Sequence, residues 1–220
     1  MIFLLIAFDL EGTLLNAELF PEIGRALYKA DALDIITAQG MNGELGFEES
    51  LSRRFVLVKG LSIERIRDVC NQLPTVKGAR ETVEALRELG CVPAIISGGF
   101  EMLANRVAGE LGIEIVCANR FGVERGYVKA VRKPIVTPRL KADLFINIAL
   151  QLGFDPRRCV AVGDGANDIP MMEVAGLSIA FNGKRCVKEI ADVVVDGDDL
   201  REIVEHVSRF RGFLKNIERT

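Results

Sequence analysis

The chain has 220 residues, is 49% hydrophobic and carries a net charge of −3, which leaves room for one large α/β domain, or a domain plus a small insert, around a sizeable core. So slight a charge provides no field to draw nucleic acid or an anionic membrane. The five cysteines (Cys70, Cys91, Cys117, Cys159, Cys186) are scattered, odd in number and free of any C-x-x-C pair. They read as buried free thiols of a reducing compartment, and so as a cytoplasmic protein.

In chain order, the first element is the apolar run 2–8, ending on Asp9 with Glu11 two residues on. It is too short for a bilayer span and lacks the basic leader of a signal peptide. Residues 16–75 show amphipathic helices at about 19–30, 46–59 and 62–71 and no strand. They form an insert that hangs over the end of the first strand as a lid. The remainder, 1–15 and 76–220, alternates strands with helices. Helices are expected near 79–89, 100–111, 140–152, 168–175, 184–190 and 199–211, and strands at 92–96, 115–118, 159–163, 177–181 and 193–195. Residues 123–128 suggest a hairpin turning at Arg125-Gly126. Such alternation predicts βαβ units and a doubly wound, Rossmann-like parallel sheet carrying an inserted helical cap. His206, the only histidine, falls in the last helix, where a surface or packing role suits it. The lone imidazole argues against a Ser-His-Asp triad or a histidine zinc site. In that helix Ile203, Val207, Phe210, Leu214 and Ile217 form a stripe expected to pack on the core.

Strands buried on both faces read as unbroken apolar runs, and ligands of open α/β sheets sit at their carboxyl ends. Two such runs end in carboxylates: 2–8 in Asp9 and Glu11, and 160–163 in Gly163-Asp164-Gly165-Ala166-Asn167-Asp168. Asp9, Asp164 and Asp168 therefore gather at one sheet edge. Magnesium favours a few carboxylates plus water and a phosphate oxygen, and an aspartate beside it can attack phosphorus. Ser97-Gly98-Gly99 follows the run 92–96, and a hydroxyl with free N–H groups before a helix binds phosphate. Lys141 would offset the crowded negative charge. Each residue also has an ordinary reading, as a turn aspartate, a simple glycine turn or a solvated lysine.

Asp9-Leu-Glu-Gly-Thr13, Ser97-Gly-Gly-Phe100, Lys141 and the Gly163–Asp168 string resemble the four motifs of the haloacid dehalogenase-like superfamily. Within it the chain is similar to phosphoserine phosphatases, over nearly its whole length. The resemblance extends to Gly43-Glu-Leu-Gly-Phe-Glu-Glu-Ser-Leu51 and Ala118-Asn-Arg120. It implies a magnesium-dependent phosphatase of serine biosynthesis that takes a small phosphorylated amino acid, with monomer and homodimer both left open by the sequence. It further implies Asp9 as nucleophile and Glu11 as acid/base. Ser97, Gly98, Lys141 and Asn167 would hold the phosphoryl group. The metal would be bound by Asp9, the backbone carbonyl of Glu11, Asp164 and Asp168, the last partly through water. Glu18 and Arg54, on the insert, match the positions that grip the ammonium and carboxylate of phosphoserine, and Arg54 suits a carboxylate by its planar fork.

One residue departs from the family pattern Asp-x-Asp-x-Thr: the second acid is Glu11. Aspartate and glutamate differ by only ~0.4 unit in pKa, so the question is reach, where an ångström of misplacement can cost ~100-fold. Homoserine-phosphorylating members of the superfamily look similar at this position. That leaves two alternatives to hydrolysis: phosphoryl transfer to an alcohol such as homoserine, or a catalytically weak protein that binds phosphometabolites.

Overall fold

The computed structural model describes residues 4–26 and 30–217. The chain runs β1 (Leu4–Phe8), four helices α1 (Leu19–Ala26), α2 (Ala30–Met41), α3 (Phe47–Val58) and α4 (Ile63–Gln72), then α5 (Ala79–Glu88), β2 (Cys91–Phe100), α6 (Glu101–Leu111) and β3 (Ile115–Asn119). It continues through the hairpin β4 (Phe121–Glu124) and β5 (Tyr127–Val131) to α7 (Pro138–Gln151), β6 (Val160–Gly163), α8 (Ile169–Val174), β7 (Leu177–Phe181), α9 (Arg185–Lys188), β8 (Val193–Val195) and α10 (Ile203–Ile217).

Six strands form one parallel sheet in the order β3-β2-β1-β6-β7-β8. All five residues of β1 are buried, as a strand covered on both faces must be. It pairs with β2 from Leu4–Cys91 to Phe8–Ile95, and with β6 from Ile6–Val160 to Phe8–Val162. Strand order reverses between β1 and β6, the place where open α/β sheets hold their ligands. Helices α5, α6 and α10 pack as one layer, and α7 and α8 as the other. Ile203, Val207 and Leu214 of the last stripe are buried and Phe210 packs half-buried on the core. Of residues named at the ends, 2, 3 and the side chain of Ile217 lie outside the described region. Among the described residues no helix is long and apolar enough to cross a membrane.

The structure departs from the sequence expectations in three places. Among the described residues the insert holds four helices, not three: of the helix expected over 19–30, Leu19–Ala26 is helical and 27–29 lie outside the described residues, and α2 is a helix that the sequence expectations lack. In α2 the apolar spacing is broken, with Ile35 exposed while Leu33 and Thr37 are buried. Strand β2 extends through Ser97-Gly98-Gly99 to Phe100, with a register shift against β3 between Ile96 and Phe100, so the glycines are a bulged strand end. Of the five cysteines, Cys117 and Cys186 are only half-buried, and all five are unpaired. The hairpin turns where expected, with positive φ at Arg125 and Gly126, the backbone of a tight two-residue turn. Its strand β5 bonds to the α3–α4 connection: the Gly60 and Ile63 amides donate to the Val128 and Gly126 carbonyls at 2.8 and 2.9 Å.

The chain leaves the sheet for the insert and returns by adjacent paths. Leu15 pairs antiparallel with Thr75, and the Val76 amide donates to the Leu14 carbonyl at 2.9 Å.

Candidate active site

Asp9 extends β1 by one residue, its amide donating to the Val162 carbonyl of β6 at 2.9 Å. The backbone then turns through Gly12 at φ +81°, where a Cβ would lie 2.3 Å from the Asp164 carboxylate. Glycine is required there by both conformation and space. Lys141, in the first turn of α7, is fully buried. Its Nζ donates to Asp9 Oδ1 at 2.6 Å and also to Asp168 Oδ1. The other Asp168 oxygen accepts the amides of Asp164 and Gly165 at 3.1 and 3.0 Å. Asp168 thus folds the loop after β6 onto itself and holds the lysine in place. Thr13 Oγ1 donates to Asp164 Oδ1 at 3.3 Å. Ligand oxygens of Asp9, Asp164 and Asp168 lie within 4.8 Å of one another.

The insert closes over this edge and leaves a small cavity of about 40 Å³. Its wall includes Asp9, Glu11, Ser97, Gly98 and Asn167 from the sheet side, and Glu18 and Arg54 from the insert. Lys141 and Asp168 do not line the cavity and connect to it through the Lys141–Asp9 contact, while Asp164 lines a neighbouring depression with Gly12 and Lys184. Of the residues singled out from the sequence, Asp9, Glu11, Glu18, Arg54, Ser97, Gly98 and Asn167 line the cavity, and Lys141, Asp164 and Asp168 cluster with Asp9 outside its wall. Ser97 Oγ accepts the Gly99 amide at 2.9 Å, and Asn119 links the Gly98 carbonyl to the Val136 amide at 2.7 and 2.8 Å. One Glu11 oxygen accepts the Leu19 amide at the start of α1, at 3.0 Å, and the other lies where a Cβ on Gly99 would be, 2.3 Å away. The extra methylene of Glu11 is thus accommodated by a missing side chain on one side and a helix start on the other. The Arg54 guanidinium lies 5.0 Å over the Phe20 ring, which meets Phe100 edge-on at 5.6 Å.

A haloacid dehalogenase-like hydrolase family model matches residues 3–176. The chain belongs to the haloacid dehalogenase-like hydrolases, in the phosphoserine phosphatase family. It is 38% identical to the phosphoserine phosphatase of Methanocaldococcus jannaschii, over 92% of this chain and 97% of that one. With the phosphoserine phosphatase of Idiomarina loihiensis it shares 37% identity over 91% of each. Among solved structures, a phospho-aspartyl intermediate analogue of phosphoserine phosphatase superposes with a TM-score of 0.89 at 38% identity, covering 92% of this chain and 98% of that one. A substrate-bound phosphoserine phosphatase complex superposes at 0.91, with 37% identity and coverage of 94% and 99%.

In this hydrolase the crowding of carboxylates sets the electrostatics. Burial, and then the charge of Asp168, raise the Asp9 carboxyl to about 7 against the pull of Lys141. Burial, with Asp168 and Asp9, also holds Asp164 well above the carboxylate range. For Lys141 burial opposes the charge, but Asp168 and Asp9 outweigh it and hold the ammonium above its ordinary value. Burial, together with Glu11 and Asp164, raises Glu18 strongly, and burial lowers Arg54 against the pull of Glu18 and Glu11. One buried ammonium faces three clustered carboxylates, a charge deficit of the kind a divalent cation fills. The donor set therefore fits a metal ion.

Sequence reasoning did not name Phe20, Thr37, Gly40, Met41, Phe47 or Ser50, which complete the cavity wall. All belong to the insert. Phe47 lies within the stretch Gly43–Leu51 that carries the family resemblance, which was a usable signal. Thr37 and Met41 lie in the unforeseen helix α2 and gave none.

Proposed function

We propose that this hydrolase is a magnesium-dependent phosphomonoesterase that converts O-phosphoserine and water to serine and phosphate through an aspartyl-phosphate. The observation that carries the reading is Asp9, buried against Lys141 at the switch point of the sheet, facing a cavity whose far wall presents Glu18 and Arg54. An Asp9 oxygen attacks phosphorus as the bond to the serine oxygen breaks, and Glu11 supplies the proton to that oxygen. Glu11 then takes a proton from water as it attacks phosphorus and frees Asp9. Lys141, Asn167, Ser97 and the Gly98 amide hold the phosphoryl oxygens. Arg54 takes the substrate carboxylate and Glu18 its ammonium. Magnesium, held by Asp9, Asp164 and the Glu11 carbonyl with Asp168 behind, would supply positive charge to the phosphoryl oxygens.

Residues 16–75 act in this reading as a cap. The cavity of about 40 Å³ holds a few water molecules rather than a phosphoamino acid, so the cap opens to admit substrate. The five unpaired cysteines support a cytoplasmic location. Glu11 is the one observation that favours a second reading, phosphoryl transfer to an alcohol acceptor.

Phosphate release from phosphoserine, compared in wild type and Arg54→Ala, tests the proposal. Loss of hydrogen bonds to a charged group, on the order of 1.5–3 kcal/mol each, should raise KM for phosphoserine about tenfold or more and leave nitrophenyl phosphate little changed. An equal loss on both substrates would remove the carboxylate role, and with it the main support for phosphoserine.

A further inference from the structure

Four buried side-chain polar atoms among the described residues have no hydrogen-bond partner, and two of them belong to the cavity wall: Asn167 Oδ1 and Thr37 Oγ1. Asn167 already has a place beside the phosphoryl group. Thr37 has none. It lies on α2 and is 4% exposed. A helical threonine can satisfy its hydroxyl on a carbonyl one turn back, but here the hydroxyl is unpaired. Leaving such a group unpaired is unfavourable, and native structures retain few without a use.

The position of Thr37 identifies its ligand atom. Thr37 shares the cavity wall with Glu18 and Arg54. Glu18 and Thr37 also border the adjoining depression with Asn16, Ala38 and Met41, so they share the insert side of the site. Of the groups on a phosphoamino acid, the phosphoryl is met by the sheet side and the carboxylate by Arg54. The ammonium has three N–H donors, and Glu18 is its single partner so far. A threonine hydroxyl offers two lone pairs. A second acceptor on this side therefore has a task to perform.

We infer that Thr37 is a specificity-determining residue whose Oγ1 accepts a hydrogen bond from the primary ammonium of an α-amino-acid phosphomonoester, beside Glu18. This deepens the reading of the site given above and rests on it.

Steady-state kinetics on O-phosphoserine and on its desamino analogue, 3-phosphonooxypropanoate, test it. Wild type should prefer phosphoserine in kcat/KM. Thr37→Val keeps the shape and removes the acceptor. It should raise KM for phosphoserine about tenfold, the scale of one hydrogen bond to a charged group, with kcat within about twofold and the analogue unaffected. Thr37→Ser should restore the phosphoserine KM to within about twofold of wild type. Should Thr37→Val fold poorly, Thr37→Ala, a stronger helix former, carries the same expectation. Wild type that turns over both compounds alike would overturn the phosphoserine reading and this inference with it. Wild-type preference that survives undiminished in Thr37→Val, or a KM rise shared by both compounds, would overturn the inference alone.

Discussion

At the scale of single residues the site is governed by Asp9 and Glu11. Asp9 titrates at about 7 because burial and Asp168 disfavour its charge. Its folded value lies above its ordinary one, so in the metal-free protein this group costs stability as pH rises from about 4 towards 7, where the unfolded chain binds fewer protons. A divalent cation at the cluster reverses that by favouring the ionised form, and its binding releases a proton. Magnesium should therefore raise the melting temperature more at pH 8 than at pH 6, with an apparent affinity that weakens as pH falls below about 7. EDTA should abolish the shift. An equal shift at both pH values would mean that the cation binds elsewhere. Glu11 is held by the Leu19 amide and by the space above Gly99, and in the function proposed above that space would let a longer acid do the work of a shorter one. Glu11→Gln can neither protonate the leaving oxygen nor activate water. Phosphoserine turnover should fall by about 100-fold or more, on the scale of general acid–base catalysis. Nitrophenyl phosphate should give a burst of nitrophenol and then a slow steady state, as the phosphoenzyme waits for water. In wild type, an added alcohol that speeds turnover and becomes phosphorylated would favour the transferase; no effect would favour the phosphatase. Unchanged kcat in Glu11→Gln would assign the proton transfers to another group.

At the scale of elements, the site depends on strand ends being fixed to one another. Asn119 at the end of β3 illustrates this. It is buried, and its amide spans from Gly98 on β2 to Val136 ahead of α7, the helix that delivers Lys141. Asn119→Ala would strand a part-buried carbonyl and a buried N–H, each costing about 1–3 kcal/mol. Denaturant unfolding should show a loss of about 2–5 kcal/mol, with kcat reduced because the Ser97–Gly99 strand end and the helix carrying Lys141 lose their shared anchor. A loss below about 0.5 kcal/mol would show that water replaces the side chain. The same elements explain what could be read in advance. Runs such as Val160–Gly163 are apolar throughout because both sheet faces are covered, so strands, and the carboxylates at their ends, were legible. Helix α2 was not, since Gly40 lies within it and Ile35 faces solvent, leaving no clean helical stripe. Its cavity residues Thr37 and Met41 were hidden for the same reason: their role comes from where the insert lands, which no local pattern records.

At the scale of the whole molecule, two separate pieces of chain meet at one point. The strand order puts β1 beside β6, so Asp9 and Asp164, far apart in sequence, share an edge, and the insert between β1 and α5 falls over it. The long reach from β1 to its other neighbour, β2, carries a kinetic consequence. Leu4 must find Cys91, and closing so long a loop is entropically costly before any contact rewards it. Yet the helices of the insert are local structure, and Leu15 meets Thr75 at their base. An insert that forms first shortens the remaining loop about threefold, which saves roughly 1 kcal/mol of closure entropy. The segment that guards the site in the native state should thus also act as a folding staple, speeding β1–β2 pairing by about fivefold. Mutations that loosen the base of the insert should show as slower refolding more than as faster unfolding.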